Sequence, residues 1–298
     1  MKLIEAVDIS KRYGGLWALK NFSLSISQGS VFGILGPNGA GKTSFIRIIT
    51  QILAPDEGQI LFKGAPIAAN DASKTGYLPE ERGLYKKMTI EAQLIYLAGL
   101  KGIKRSVAKE RIKILLQKFD LEQWRNRAVE ELSKGMQQKV QFMSSIVHQP
   151  ELLILDEPFS GFDPLNADIL KNEILEIKKS GCTIIYSTHR METVEELCDE
   201  IVLINKGEKL LEGKVAQIRQ ENKKNIYSLE MDGLPEANGS FSITESIGLD
   251  NGRYNLKIKT EKAPNEVIKS LLPYGQIHCF KEELPSINDI FISKIRQS

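Results

Sequence analysis

Short apolar runs rich in β-branched residues alternate with stretches of helical periodicity along most of the chain. Buried strands covered by helices produce that alternation, so it predicts a layered α/β domain. Strands are expected near residues 3–9, 21–27, 30–35 and 58–63, then 152–156, 182–187 and 200–205. From about 88 to 148 the pattern changes. TIEAQLIYLAGL, SVAKERIKILLQKF and GMQQKVQFMSSIVH read as nearly continuous helix, set between strands of the core. The core is therefore expected to carry a helical subdomain over about 84–150.

The pattern stops at RQENKKN, residues 219–225, which is polar, lacks periodicity and reads as a linker. Beyond it IYSLEM, FSITESI and RYNLKIK read as strands, the last two forming a hairpin about Asp250, Asn251 and Gly252. PNEVIKSLL then reads as a helix and QIHCFKEE as a strand, with His278 and Cys279 pointing to opposite faces. In the tail, Ser286 and Asp289 have capping-box spacing, and Ile287, Ile290 and Phe291 share one helix face. The division expected is a main domain over 1–220 and a small α+β domain over 226–298.

Composition narrows the function classes. The 298 residues carry a net charge of only +2, with 42% hydrophobic and 26% charged positions. A nucleic-acid partner usually shows as a basic excess, so none is expected. Cys182, Cys198 and Cys279 have no metal-ligand spacing and read as buried thiols of a reducing cytosol. The start, MKLIEAVDISKRY, lacks the apolar core of a signal peptide. No run approaches the roughly 18 apolar residues of a membrane span, so work at a membrane would need a separate anchor.

The chemistry begins at GPNGAGKT, residues 36–43, between the buried strand VFGIL and the helix SFIRIITQI. This is the pattern G-x-x-x-x-G-K-[ST] in its proper strand–loop–helix setting. Gly36, Gly39 and Gly41 let the backbone wrap a polyphosphate whose oxygens accept loop N–H groups. Lys42 can reach the β- and γ-phosphates, and the Thr43 hydroxyl can ligate magnesium. The loop alone does not separate an ATPase from a GTPase or a small-molecule kinase. In LLILDEP, residues 152–158, Asp156 emerges at the carboxyl end of a buried strand, where α/β sheets place ligands. Asp156 suits a magnesium shell, and Glu157 beside it suits a base that polarises the attacking water. SGFDP brings Asp163 seven residues after Asp156, and His189 ends the buried strand CTIIYS. A strand next to that of Glu157 would bring His189 to a γ-phosphate. Ser133, Lys134 and Gly135 in LSKGM sit at a helix start, whose free N–H groups and partial positive charge attract an anion.

GPNGAGKT, LSKGM, LLILDEP, SGFD and STH stand in the order, and at about the separations, found in nucleotide-binding subunits of ATP-binding cassette transporters. Over roughly residues 1–220 the chain resembles that family. The resemblance implies an α/β P-loop NTPase cassette with an inserted helical subdomain, ATP and Mg2+ as cofactors, and ATP hydrolysis coupled to transport. It assigns nucleotide binding to Gly36, Pro37, Asn38, Gly39, Ala40, Gly41, Lys42, Thr43 and Ser44, with Tyr13 stacking on adenine and Trp17 as a rival. GYLPEE, residues 76–81, matches the loop that normally carries a glutamine near magnesium and the membrane partner. Glu80 stands in the glutamine's place as a magnesium ligand, with Glu81 as an alternative acid. In such cassettes the signature helix faces the ATP of a second subunit. The anion awaited by Ser133 and Gly135 would then be a γ-phosphate on the partner, with Asp163 in the adjoining loop.

Two positions depart from the family's LSGGQ: Lys134 stands for glycine and Met136 for glutamine. The tail LPSINDIF resembles the extension on some export-type cassettes, including sodium-export ATPases. Implied partners are integral membrane subunits and a second cassette, with a homodimer expected. The implied location is cytoplasmic, on the inner face of the membrane. A soluble cassette of translation or DNA repair, or a cassette that binds ATP without hydrolysing it, are the alternatives.

Overall fold

The computed structural model describes every residue except Arg82, Asn238, Asp250, Asn251 and Ser298. It divides the chain into two compact units, Met1–Lys214 and Val215–Ser298.

The first unit opens with β1 (Lys2–Tyr13) and β2 (Leu16–Ser27), an antiparallel hairpin turning at Gly14 and Gly15. Both arms are longer than apolar patterning predicts, because Lys11, Arg12 and Tyr13 pair with Leu19, Trp17 and Leu16 across the hairpin. β3 (Val31–Leu35) leads into α1 (Lys42–Ile49), followed by β4 (Glu57–Phe62), the short β5 (Ala65–Pro66) and β6 (Thr75–Leu78). The helical region is α2 (Ile90–Leu100), α3 (Arg105–Lys118) and α4 (Lys134–Ile146), so the expected continuous helix is three helices with short 3₁₀ turns between the last two. Then come β7 (Leu152–Asp156), α5 (Pro164–Lys179), β8 (Thr183–Thr188), α6 (Glu192–Leu197), β9 (Glu200–Asn205) and β10 (Glu208–Lys214). Apolar periodicity misses β6 and β10, which are a short edge strand and a mostly polar one, TGYL and EKLLEGK.

These strands form two sheets. One is β2-β1-β4-β5, and the other is β10-β9-β3-β8-β7-β6. In the second, β3 lies parallel to β8 and β9, and β7 lies parallel to β6 and β8. Helices cover both faces of such a sheet, which is why VFGIL, LLILD and TIIYST are buried at every position. A core cluster joins the two sheets through α1, with Phe22 and Phe45 edge-to-face at 4.9 Å. Burying a ring of this kind contributes roughly 1.5–3 kcal/mol. α4 lies hard against β6 at Gly76, where an added Cβ would fall 2.1 Å from Ser145 O.

The second unit holds α7 (Val215–Glu221), β11 (Ile226–Met231), β12 (Ser242–Gly248), β13 (Tyr254–Lys259), α8 (Pro264–Leu271), β14 (Ile277–Glu283) and α9 (Ile287–Gln297). The first half of the polar stretch expected as linker is therefore the end of a helix. The sheet is antiparallel in the order β12-β13-β11-β14. β12 and β13 pair as the expected hairpin; Asp250 and Asn251 of its turn lie outside the described residues. Tyr227, Leu229, Met231, Leu256, Ile258, Val267 and Leu271 form a separate core. The Ser286–Asp289 cap forms as its spacing predicts, with Asp289 N donating to Ser286 Oγ at 3.1 Å. Cys182 and Cys198 are buried, and Cys279 is exposed, contrary to expectation. Cys279 pairs with Glu230, a residue of the alternation on β11 that faces away from the core. No helix among the described residues is long and apolar enough to cross a membrane.

Candidate functional site

Strand order brings the chemistry together. β8 lies between β3 and β7, so the glycine loop after β3, His189 after β8, and Asp156 with Glu157 at the end of β7 meet at one sheet edge. They line a cavity of about 540 Å³ together with Tyr13, Ala18, Asn38, Gly39, Ala40, Gly41, Thr43, Ser44 and Glu80. Carboxyl ends of parallel strands are where this architecture accommodates ligands.

Gly41 of the glycine loop has no room for a side chain. Its φ is +113°, and a Cβ there would lie 2.2 Å from Ala18 O. Lys42 is buried and donates through Nζ to Gly36 O at 2.8 Å and Pro37 O at 3.1 Å. Burial lowers its pKa, against the opposing pull of Glu157, Asp156 and Glu80. Gly36 and Pro37 hold this lysine and do not themselves line the cavity.

Across the cavity, Glu157 is 9% exposed and has a left-handed backbone, φ +50°. That strained turn aims its carboxylate back at the sheet edge. Oε1 lies 2.7 Å from His189 Nδ1, and Oε2 accepts from Thr188 Oγ1 at 3.3 Å. An ionised carboxylate only accepts, so in that form Nδ1 carries the shared hydrogen. Burial raises the pKa of Asp156; the Ser187 hydroxyl opposes this, and the charges of Glu80 and Glu157 reinforce it.

Three carboxylates beside one lysine leave room for a cation. No trio of acids, histidines or cysteines among the described residues could hold a metal by itself. That donor set fits magnesium, which binds through one or two carboxylates plus substrate phosphates and water. Thr43, Asp156 and Glu80 are the side chains available to it.

The alternatives left open by the sequence differ in position. Tyr13 lines the cavity, whereas Trp17 lies outside it and takes the Arg12 guanidinium over its ring at 5.4 Å. Glu80 lines the cavity and Glu81 does not. Sequence reasoning misses Ala18 and Thr188; the latter was visible as the threonine of STH.

Ser133, Lys134, Gly135 and Asp163 lie outside the cavity. Ser133 caps α4, accepting from Met136 N at 3.3 Å, and Ser133 and Lys134 are exposed. Asp163 caps α5, accepting from Asn166 N at 2.9 Å, and this hydrogen bond, with a second from the Asn166 side chain, lowers its pKa.

Comparison with known proteins identifies the family and the fold. Residues 19–160 match the ABC transporter family, and residues 213–295 match the ATP-binding protein DrrA1-3-like C-terminal domain. YhaQ of Bacillus subtilis, an uncharacterized ABC transporter ATP-binding protein, is 42% identical over 96% of this chain and 96% of its own length. The linearmycin resistance ATP-binding protein LnrL of the same organism is 34% identical over 93% of this chain and 91% of its own. A solved ATP-binding subunit of an ABC transporter superposes with a TM-score of 0.69 at 32% identity, covering 74% of this chain and 92% of that one. The chain belongs to the family of ABC transporter ATP-binding subunits, and its first unit has their α/β P-loop cassette fold.

Proposed function

We propose that the chain binds and hydrolyses ATP in this cavity and that hydrolysis powers export through separate membrane-spanning subunits. The observation that carries the reading is Glu157, buried and held by His189 and Thr188 across the cavity from Lys42. Loop amides and Lys42 bind the β- and γ-phosphates, and Tyr13 stacks on adenine. Magnesium, held by Thr43, Asp156 and Glu80, would neutralise charge on the phosphates. Glu157 takes the proton of the attacking water, and His189 holds that carboxylate and contacts the γ-phosphate.

Ser133, Lys134 and Gly135 have no nucleotide of their own to serve, since all three lie outside their own chain's cavity and Ser133 and Lys134 are exposed. They complete the ATP site of a second copy, Ser133 and Gly135 donating to its γ-phosphate, with Asp163 in the same interface. The membrane subunits dock beside the loop after β6, where Tyr85 and Tyr96 meet edge-on at 5.8 Å and remain half exposed. Glu81 and Lys86 belong to this docking surface, as does Arg82, which lies outside the described residues. The cassette then sits on the cytoplasmic face of the membrane. The resistance function in LnrL's name favours export, as does the C-terminal domain.

Mixing two defective chains tests the shared site. Ser133→Arg and Lys42→Ala each abolish their own homodimer's turnover. In the mixed dimer one composite site carries both lesions and the other neither, so ATPase activity partly returns. No recovery from mixed dimers shown to form, together with weakened ATP binding by monomeric Ser133→Arg, would place Ser133 on its own chain's nucleotide.

A further inference from the structure

α4 starts at the exposed Ser133 and runs into the core, where two glutamines on it reach loops of the nucleotide cavity. Gln141 is 5% exposed, and its Nε2 donates to Pro79 O at 3.1 Å and to Glu81 O at 3.1 Å. Those carbonyls lie on either side of Glu80, the acid that lines the cavity. Three residues earlier, Gln138 Nε2 donates to Pro158 O at 3.4 Å, immediately after Glu157. The neighbours of Gln141 on α4, Val140, Phe142 and Met143, are buried and apolar. A side-chain amide among them is tolerated only where its polar atoms find partners, and the loop carbonyls are such partners. The close approach of α4 to β6 at Gly76 fixes the strand that leads into the same loop.

We propose that Gln141 is a positioning residue, clamping the two carbonyls that flank Glu80 and so setting where that carboxylate meets the nucleotide and its metal. One nitrogen bridging carbonyls two residues apart restrains the backbone on both sides of Glu80. The same helix begins at Ser133, so a shift of α4 when a second copy engages its start reaches Glu80 through this clamp. The proposal rests on the cavity being an ATP site.

Gln141→Met keeps the length of the side chain and removes both donors. Its kcat should fall about tenfold or more through misplacement of Glu80, with KM for ATP held within about twofold. Gln141→Glu, isosteric but facing two carbonyls with an acceptor, should lose at least as much. In a Glu80→Ala background, adding Gln141→Met should cost less than about twofold, because the group it positions is gone. Additive losses, or Gln141→Met and Gln141→Glu with normal kcat, overturn the proposal. Independently of turnover, amide exchange measured without nucleotide should quicken at residues 78–81 of Gln141→Met and stay unchanged in β7 and β8. Unchanged exchange at 78–81 also overturns it. A parent chain that neither binds nor hydrolyses ATP would sink the reading of the cavity instead, and the exchange measurement would still decide the clamp.

Discussion

Two histidine–carboxylate pairs in this chain have the same contact distance and opposite surroundings. His189 Nδ1 lies 2.7 Å from Glu157 Oε1, and His278 Nε2 lies 2.7 Å from Asp232 Oδ1. In the first pair the carboxylate is the buried member, 10% exposed against 58% for the histidine. In the second it is the open one, 50% against 20%, and Arg253 Nε shares Asp232 at 3.5 Å. Glu157 sits beside Asp156, Glu80 and Lys42 at the carboxyl edge of a parallel sheet, whereas Asp232 follows an antiparallel strand with solvent beside it. A hydrogen-bonded histidine and acid therefore do not make a reactive site. On the proposed reading, what sets Glu157 apart is its burial at a cavity lined by the glycine loop and Lys42.

The contrast is broken most directly by removing each acid. Glu157→Gln keeps shape and hydrogen bonding without basicity, so ATP still binds while turnover falls by about two orders of magnitude or more. Asp232→Asn should leave turnover within about twofold. Steady-state ATPase assays and nucleotide titrations on both chains check this, and equal losses would erase the distinction.

The third histidine, His148, has no acid partner among the described residues and sharpens the comparison through pH. Burial, helped by the charges of Lys101 and Arg111, holds its pKa down at about 4, against an ordinary 6.5. On acidification the unfolded chain takes up this proton first. Its contribution to stability is therefore intact above pH 6.5 and is lost progressively down to about pH 4. The total is about 3 kcal/mol. Denaturant midpoints across that range, compared with His148→Leu, should show the slope weaken in the variant.

A smaller effect is expected at His189. His189→Gln should cut turnover about tenfold, because Glu157 keeps Thr188 as a partner while part of its orientation and the histidine's own contact with the γ-phosphate are lost. A loss as large as that of Glu157→Gln would make the histidine an equal partner in the chemistry. Smallest of all, Asp232→Asn should destabilise the chain by less than about 1 kcal/mol, the usual worth of an exposed ion pair. Thermal unfolding of the second unit's signal would check this.

The sequence by itself determined the local pieces. GPNGAGKT could only be a glycine turn between a buried strand and a helix, since Gly41 occupies a backbone region with no room for a side chain. LLILDEP placed two acids at the end of a strand buried on both faces, and Ser133, Asp163 and Ser286 announced their helix caps. These are short-range properties, fixed by sterics, periodicity and side-chain to backbone bonding within a few residues. Tertiary structure alone decided which pieces meet. The insertion of β8 between β3 and β7 brought His189 to Glu157, 32 residues away in sequence. That Tyr13 and Glu80 line the cavity, and Trp17 and Glu81 do not, follows from how the loops pack. The exposure of Cys279 followed from the register of β14 on β11, and the clamp of Gln141 from α4 closing on residues about 60 positions earlier. Contacts of that separation leave no periodic trace in the chain, because they are selected by the fit of whole surfaces after the elements have formed.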